Sequence, residues 1–180
     1  MAGRALAVLV IVGLLVAWLF TRKGEASASP EPAVWTNNMA SWIDNLTQDA
    51  SKNEALYRDA VLNAEKAHGL PPGLLGRLLY QESRYRTDII TGKVKSKAGA
   101  MGIAQFMPAT AAEMGLDPLD PIASINGAAR YLAMLNKKFG NWRVTLAAYN
   151  FGQGNISRGK VWPMETQAYV NDIANDVGLA

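Results

Sequence analysis

The sequence begins with an unbroken apolar run, ALAVLVIVGLLVAWLF, from Ala5 to Phe20, with Arg4 on one side and Arg22 and Lys23 on the other. A helix over this run is roughly 24 Å long, somewhat shorter than the roughly 30 Å hydrocarbon core of a bilayer. The flanking arginine side chains can extend to the headgroups and make up the difference. A helix without a polar face is not typical of a surface helix in a soluble domain. We therefore predict that residues 1–23 bring the protein to a membrane.

Two interpretations of this segment stay open. The sequence TRKGE places three charges after the apolar run, which favours an uncleaved transmembrane anchor. A cleaved signal peptide is the alternative, because Ala26, Ser27 and Ala28 match the A-x-A pattern of a cleavage site. Basic residues at both ends of the run give little positive-inside bias, so the topology also stays open.

Charge and composition exclude several classes of function. The formal net charge is +3, and most of it belongs to the N-terminal segment, so no basic stripe remains for nucleic acid. The chain has no cysteine and only one histidine, His68, which rules out thiolate or histidine-rich metal sites. We predict no nucleic-acid partner, no metal and no cofactor.

The polar and apolar patterns divide the rest of the chain. Gly24 to Pro32, GEASASPEP, has the composition of a flexible linker. The spacing of Met39, Trp42, Ile43 and Leu46 predicts a short amphipathic helix between residues 34 and 51. Residues 24–52 are thus predicted to be a linker and an amphipathic segment, and residues 53–180 a compact domain.

Helical patterns dominate the predicted domain. The first helix runs from Asn53 to a glycine cap after His68, with an inward face of Leu56, Ala60, Ala64 and Ala67. Further helices are predicted from the prolines at 71–72 to Ser83, at 108–114, 121–139 and 142–149, and from Met164. Residues 86–103 read as an irregular loop or a small hairpin. The pattern predicts a mainly helical domain with a loop-rich middle.

Among the carboxylates, Glu82 has an unusual local sequence, LLYQESRYRT. It lies at the C-terminal end of an apolar helix, where the helix dipole and the apolar neighbours both disfavour its charged form. Both effects raise the pKa towards the range of a general acid. An ion pair with Arg84 or Arg86 is the alternative on local sequence alone.

Two later stretches carry polar side chains among glycines and apolar residues. SKAGAMGIAQFMPATA contains Gln105, whose amide can donate and accept hydrogen bonds and suits sugar hydroxyl and N-acetyl groups. LAAYNFGQGN carries a helix into Tyr149 and Asn150. A tight structural turn at Gln105 and a buried tyrosine bonded to a core partner are the alternatives.

Four stretches in order, YQESRY, KVKSKAGAMGIAQFMPATA, LAAYNFGQGNI and ETQAYV, together resemble the soluble lytic transglycosylase family. These are goose-type-lysozyme-like enzymes that cut bacterial peptidoglycan, and the resemblance extends from Ala64 to Val170. It implies an α+β, predominantly α-helical, lysozyme-like domain with a cleft between two lobes, here preceded by the predicted transmembrane helix. It also implies peptidoglycan glycan strands as the partner.

The resemblance implies roles for individual residues. Glu82 matches the family's catalytic acid and base, and Ser83 follows it as a residue that holds the helix end. The positions matching substrate-binding or cleft-lining residues are Ser96, Gln105, Tyr149, Asn150 and Glu165. Two departures are present: Ile103 and Ala104 stand where Leu-Met is common, and the stretch from Glu82 to Ser96 is a few residues longer than usual.

The implied reaction cleaves the bond between N-acetylmuramic acid and N-acetylglucosamine and forms a 1,6-anhydro ring, with Glu82 as acid and then base. A hydrolytic muramidase and a non-catalytic peptidoglycan-binding assembly protein stay open as alternatives. The domain is expected on the cell-wall side of a membrane, periplasmic or exterior. A phage particle or virion membrane, a conjugation or secretion apparatus, and a cell's own wall turnover all fit the sequence.

Overall fold

The computed structural model describes the secondary structure of residues 32–179 and the side chains of Ser41 and residues 43–179. The predicted anchor at residues 1–23 and nearly all of the predicted linker lie outside the described residues. No helix within the described part combines the length and hydrophobicity needed to cross a bilayer. The chain divides into two units, residues 1–42 and 43–180, and the second contains every predicted site residue.

Helices provide almost all of the regular structure in the described residues. They are α1 (Pro32–His68), α2 (Leu74–Ser83), α3 (Thr87–Ile90), α4 (Pro108–Met114), α5 (Pro121–Phe139), α6 (Trp142–Phe151), α7 (Gln153–Ser157) and α8 (Met164–Asp176). The prediction of a mainly helical domain is confirmed. Within the same residues, the β structure is one isolated antiparallel bridge between Met101 and Phe106. The segment predicted as a loop or hairpin instead begins with α3.

Helix α1 corrects two predictions. It is continuous over 37 residues, so the predicted break between an amphipathic helix and a domain helix at Asn53 is wrong. The intervening sequence, TQDASKN, contains neither glycine nor proline to end a helix. Its predicted inward face is half right: Ala64 is buried and Ala60 packs against the core, whereas Leu56 is 70% exposed and Ala67 is exposed. The buried positions are Val61, Ala64 and Glu65.

Helix α2 contributes one whole face to the core of the domain. Leu74, Leu75, Leu78 and Leu79 are fully buried on one face of α2, and each such side chain contributes about 1.5–3 kcal/mol through burial. Helix α2 contacts α5 and α8, and α6 contacts α5, α7 and α8. Helix α2 therefore lies beside α8.

A buried carboxylate from α1 caps the start of α2. The residue before α2, Gly73, provides no side-chain cap. Glu65 accepts hydrogen bonds from the backbone N–H groups of Gly73 at 3.0 Å, Leu75 at 2.8 Å and Gly76 at 3.4 Å. These groups are the unpaired donors of a helix N-terminus, which favours negative charge. Helix α1 thus fixes the position of α2.

We expect Gly102→Ala to lower the free energy of unfolding by about 3 kcal/mol, since it combines a backbone clash with a strained φ. A Cβ atom at Gly102, where φ is +75°, would lie 1.7 Å from the carbonyl oxygen of Pro118. Gly99→Ala is the matched control: its φ is +89° and a Cβ atom there meets nothing within 4 Å. Its cost should be about 1 kcal/mol. Equal losses for the two variants in urea unfolding would contradict this account.

Candidate active site

The site is centred on Glu82, in the last turn of α2. Its carboxyl Oε1 accepts a hydrogen bond from the Tyr169 hydroxyl at 2.6 Å. Tyr169 comes from α8 and is only 6% exposed. Glu82 itself is partly exposed.

The environment of Glu82 sets its protonation. Burial raises the pKa of Glu82 to about 7, against a smaller lowering by the hydrogen bond from Tyr169. Burial disfavours the carboxylate, and a donated hydrogen bond favours it. Near neutral pH both the acid and the carboxylate are populated, as required of a group that gives and then takes a proton.

The neighbouring arginines do not neutralise Glu82. Arg84 lies over the ring of Tyr80, 4.8 Å from its centroid, and Arg86 pairs with Asp88 through a 2.5 Å contact. The alternative in which Glu82 pairs with either arginine is therefore wrong. Because neither guanidinium group pairs with the Glu82 carboxyl, burial is the main influence on its pKa.

Ser83 holds the end of α2. Its hydroxyl donates to the carbonyl of Leu79 at 3.0 Å and accepts from the N–H of Tyr85 at 3.2 Å. The predicted role of Ser83 at the helix end is confirmed. Tyr85 reaches back over the same helix and donates to the carbonyl of Gly76 at 3.2 Å.

Tyr149 borders the site from α6. Its hydroxyl donates to the carbonyl of Ala104 at 2.9 Å, and its ring packs against Phe106 and Tyr131, with centroids 6.2 and 5.6 Å away. Burial, followed by the charge of Glu82, raises the pKa of Tyr149 well above its ordinary value. Tyr149 is thus a neutral phenol close enough to sense Glu82, and it also anchors the loop that carries Gln105.

Gln105 occupies a tight turn, as its alternative interpretation predicts. Its φ is +48°, and Met101 and Phe106 exchange two backbone hydrogen bonds of 3.1 Å across it. The side-chain Nε2 donates to the carbonyl of Gly102 at 2.9 Å. The residue stays partly exposed, so the turn presents an amide beside the loop that Tyr149 holds.

The other predicted site residues differ in their placement. Asn150 is exposed and accepts a hydrogen bond from Thr166 at 2.8 Å, which joins α6 to α8. Glu165 is exposed in the first turn of α8 and forms no hydrogen bond or ion pair within residues 43–179. Ser96 is also exposed and accepts from the N–H of Ala100 at 2.9 Å, closing a turn. Their substrate-binding roles stay predictions.

Tyr169 is the site residue that sequence reasoning missed. It belongs to the stretch ETQAYV, in which only Glu165 received a role. The buried positions of α8 include Thr166, Tyr169, Val170 and Ile173, a 3-1-3 spacing typical of an inward helix face. A tyrosine on that face needs a hydrogen-bond partner, and this signal could have singled it out.

Among the described residues, no second acidic group shifts the pKa of Glu82. The influences that shift the pKa of Glu82 are burial and Tyr169, and no other carboxylate is among them. Within the described part of the chain, no group of three or more His, Cys, Asp or Glu side chains is placed to hold a metal ion. The arrangement is one titratable carboxyl flanked by two neutral tyrosines.

Comparison with known protein families identifies the family of this chain. Residues 59–169, more than half of the chain, match the transglycosylase SLT domain. The chain belongs to the transglycosylase SLT domain family. Glu82, Tyr149 and Tyr169 all lie within the matched SLT region.

Individual relatives agree with this assignment. The SLT chain is 37% identical over 109 residues to the peptidoglycan transglycosylase gp16 of Escherichia phage T7, covering 56% of this chain. It is 37% identical over 161 residues to the membrane-bound lytic murein transglycosylase D of Escherichia coli K12, covering 71% of this chain. The structure of the 70 kDa soluble lytic transglycosylase of Escherichia coli matches 65% of it with a TM-score of 0.54 and 30% identity. The lysozyme-like SLT fold is thereby shown.

These relatives are much longer proteins. The SLT chain covers 8% of the phage T7 protein, 34% of the Escherichia coli K12 protein and 22% of the chain in the solved structure. The similarity therefore describes one domain of each.

Proposed function

We propose that this SLT domain is a peptidoglycan lytic transglycosylase. It cleaves the β-1,4 bond between N-acetylmuramic acid and N-acetylglucosamine and leaves a 1,6-anhydromuramyl end. The observation that carries the proposal is the Glu82 carboxyl, with a pKa raised to about 7 and a 2.6 Å hydrogen bond from Tyr169. The family match and the transglycosylase names of the relatives support the substrate class.

In the first step, protonated Glu82 donates its proton to the glycosidic oxygen. The bond from this oxygen to C1 of the muramyl residue breaks, and the N-acetylglucosamine leaves as a neutral alcohol. Positive charge then develops at C1 and the ring oxygen, as in other glycoside cleavages. The hydrogen bond from Tyr169 stabilises the carboxylate that Glu82 has become.

In the second step, the muramyl 6-hydroxyl attacks C1 and gives its proton to the Glu82 carboxylate. A C1–O6 bond closes the 1,6-anhydro ring, and Glu82 returns to its protonated form. The substrate's N-acetyl group, or else the electrostatics of Tyr149 and the nearby carbonyls, stabilises the developing positive charge. One residue thus replaces the carboxylate pair of most glycosidases, consistent with the absence of another carboxylate among the groups that shift the Glu82 pKa.

Other residues of the chain bind the substrate and attach the domain to a membrane. Ser96, Gln105, Asn150 and Glu165 contact the sugar chain or its N-acetyl groups. Residues 1–23 attach residues 53–180, the catalytic domain, to a membrane, with that domain on the cell-wall side. The protein acts there alone or within a larger cell-envelope or phage-particle assembly.

Release of soluble fragments from purified sacculi tests whether the domain is an enzyme. We expect the full chain to release muropeptides continuously with time and in proportion to its concentration. A non-catalytic binding protein would sediment with sacculi and release nothing, and that outcome would refute the proposed activity.

A further inference from the structure

The turn that follows the Glu82 helix has an unusual backbone. Arg84 and Tyr85, neither of them glycine, both have a φ of +52°. Left-handed backbone is unfavourable for such residues and persists where surrounding contacts hold it. Two consecutive positions of this kind, directly after Glu82 and Ser83, require specific support.

Helix α1 supplies that support through two side chains one helical turn apart. Asp49 accepts hydrogen bonds from the Thr87 backbone N–H at 3.0 Å and from the Thr87 hydroxyl at 2.8 Å. Asn53 donates to the Tyr85 carbonyl at 2.9 Å and to the Thr87 hydroxyl oxygen at 2.8 Å. Residues four apart share one face of a helix, so both side chains reach the same turn. We name the group Asp49, Asn53 and Thr87 the α1 clamp.

The α1 clamp connects directly to the last turn of α2. Asn53 holds the carbonyl of Tyr85, whose N–H bonds to the Ser83 hydroxyl, and that hydroxyl bonds in turn to the carbonyl of Leu79. Glu82 lies inside this last turn. A change at Asn53 can therefore reach the last turn of α2 through three consecutive hydrogen bonds. A change at Asp49 reaches it through Thr87 and then Asn53.

We propose that Asp49 and Asn53 are positioning residues for Glu82, keeping its carboxyl aligned with the Tyr169 hydroxyl. Both lie before the region matched by the family, residues 59–169, and Asp49 also lies before the predicted start of the domain at Asn53, so on this proposal the catalytic unit includes the part of α1 that carries Asp49. The catalytic part of this inference rests on the proposed function. The inference that the α1 clamp holds the turn is independent of the proposed function.

The kinetic test uses the full chain acting on purified soluble glycan strands. Asp49→Ala and Thr87→Val should each lower kcat about tenfold with little change in KM, because misalignment of a catalytic group reduces turnover rather than binding. Thr87→Ser retains the hydroxyl and should restore kcat to within about twofold of the wild type. Asp59→Ala is the matched control, since Asp59 is an exposed α1 carboxylate without a hydrogen bond or ion pair in the described residues.

A double-mutant cycle with Tyr169→Phe separates positioning from general destabilisation. If Asp49 acts through the alignment of Glu82 and Tyr169, Asp49→Ala should cost less in the Tyr169→Phe background than in the wild type. The positioning role would be overturned if the kcat losses of the two single variants simply multiplied in the double variant. It would also be overturned if Asp49→Ala left kcat unchanged.

Hydrogen exchange tests the clamp without reference to activity. The N–H groups of Arg84 and Arg86 bond to the carbonyls of Tyr80 and Ser83 at 2.9 and 3.0 Å. In Asp49→Ala these two amides should exchange faster than in Asp59→Ala, because the turn has lost its support. Unchanged exchange would overturn the clamp itself. Failure of the proposed function would appear separately, as a wild-type chain that cleaves no glycan.

Discussion

Glu82→Gln is expected to lower the rate of glycan cleavage by about 10³-fold or more, since it removes the proton donor of one step and the proton acceptor of the next. Glutamine keeps the size of the side chain and can still accept the hydrogen bond from Tyr169. The measurement is the initial rate of muropeptide release from sacculi. Glu113→Gln is the control, because Glu113 is an exposed α4 carboxylate with no hydrogen bond in the described residues. A Glu82→Gln chain with near wild-type rate would refute the mechanism.

The same variant should be more stable than the wild type at alkaline pH, so its inactivity cannot be ascribed to misfolding. The folded-state pKa of Glu82, about 7, is raised above the ordinary value of 4.5. The stability that Glu82 contributes is therefore complete below about pH 4.5 and is lost as the pH rises through about 7. Between about pH 4 and pH 8, the free energy of unfolding of Glu82→Gln relative to that of the wild type should rise by about 3 kcal/mol. A constant difference across this range would contradict the raised pKa.

Tyr169→Phe is expected to lower kcat about 30-fold, because the Glu82 carboxylate loses the hydrogen bond that stabilises it between the two steps. The substitution also moves the pH profile. The first step needs protonated Glu82, so kcat/KM should fall above about pH 7, where Glu82 ionises. Since the Tyr169 hydrogen bond lowers the pKa of Glu82, its loss should shift this fall to higher pH.

Tyr57→Phe provides the control for removal of a tyrosine hydroxyl. Tyr57 is a half-buried residue of α1 whose hydroxyl forms no hydrogen bond within residues 43–179. Its rate and pH profile should match those of the wild type. If Tyr169→Phe leaves the fall of kcat/KM at alkaline pH unchanged, or moves it to lower pH, the assignment of this fall to the Glu82–Tyr169 pair is contradicted.

The local sequence singles out Glu82, because a carboxyl at the C-terminal end of an apolar helix is disfavoured as an anion. It leaves an ion pair with an arginine open, and the main cause of the raised pKa is burial, which depends on packing. The catalytic role of Glu82 is predicted only from the resemblance of four stretches together to a known family. Helices α4 and α5 could be predicted from local signals, because prolines at 108 and 121 and glycines at 115 and 140 mark where they begin and end. The short helix α7 was not predicted.

Other features depend on contacts between distant residues, which no local pattern specifies. The Tyr169–Glu82 hydrogen bond joins residues 87 positions apart. In the sequence alone, Glu65 resembles a solvated helix carboxylate. Its capping role depends on the packing of α2 against α1, which brings the N–H groups of α2 to the Glu65 carboxylate. The wrong assignment of Leu56 and Ala67 to the inward face of α1 has the same origin, because burial there is decided by where α2 lies rather than by hydrophobicity alone.

Product analysis in H₂¹⁸O tests the central claim most directly. Sacculi digested by the wild-type chain should yield muropeptides with 1,6-anhydromuramyl ends that carry no ¹⁸O, because the muramyl 6-oxygen and not water attacks C1. Mass spectrometry distinguishes these products from hydrolytic ones by the missing water. Reducing muramyl ends that contain ¹⁸O would identify a hydrolytic muramidase and contradict the account.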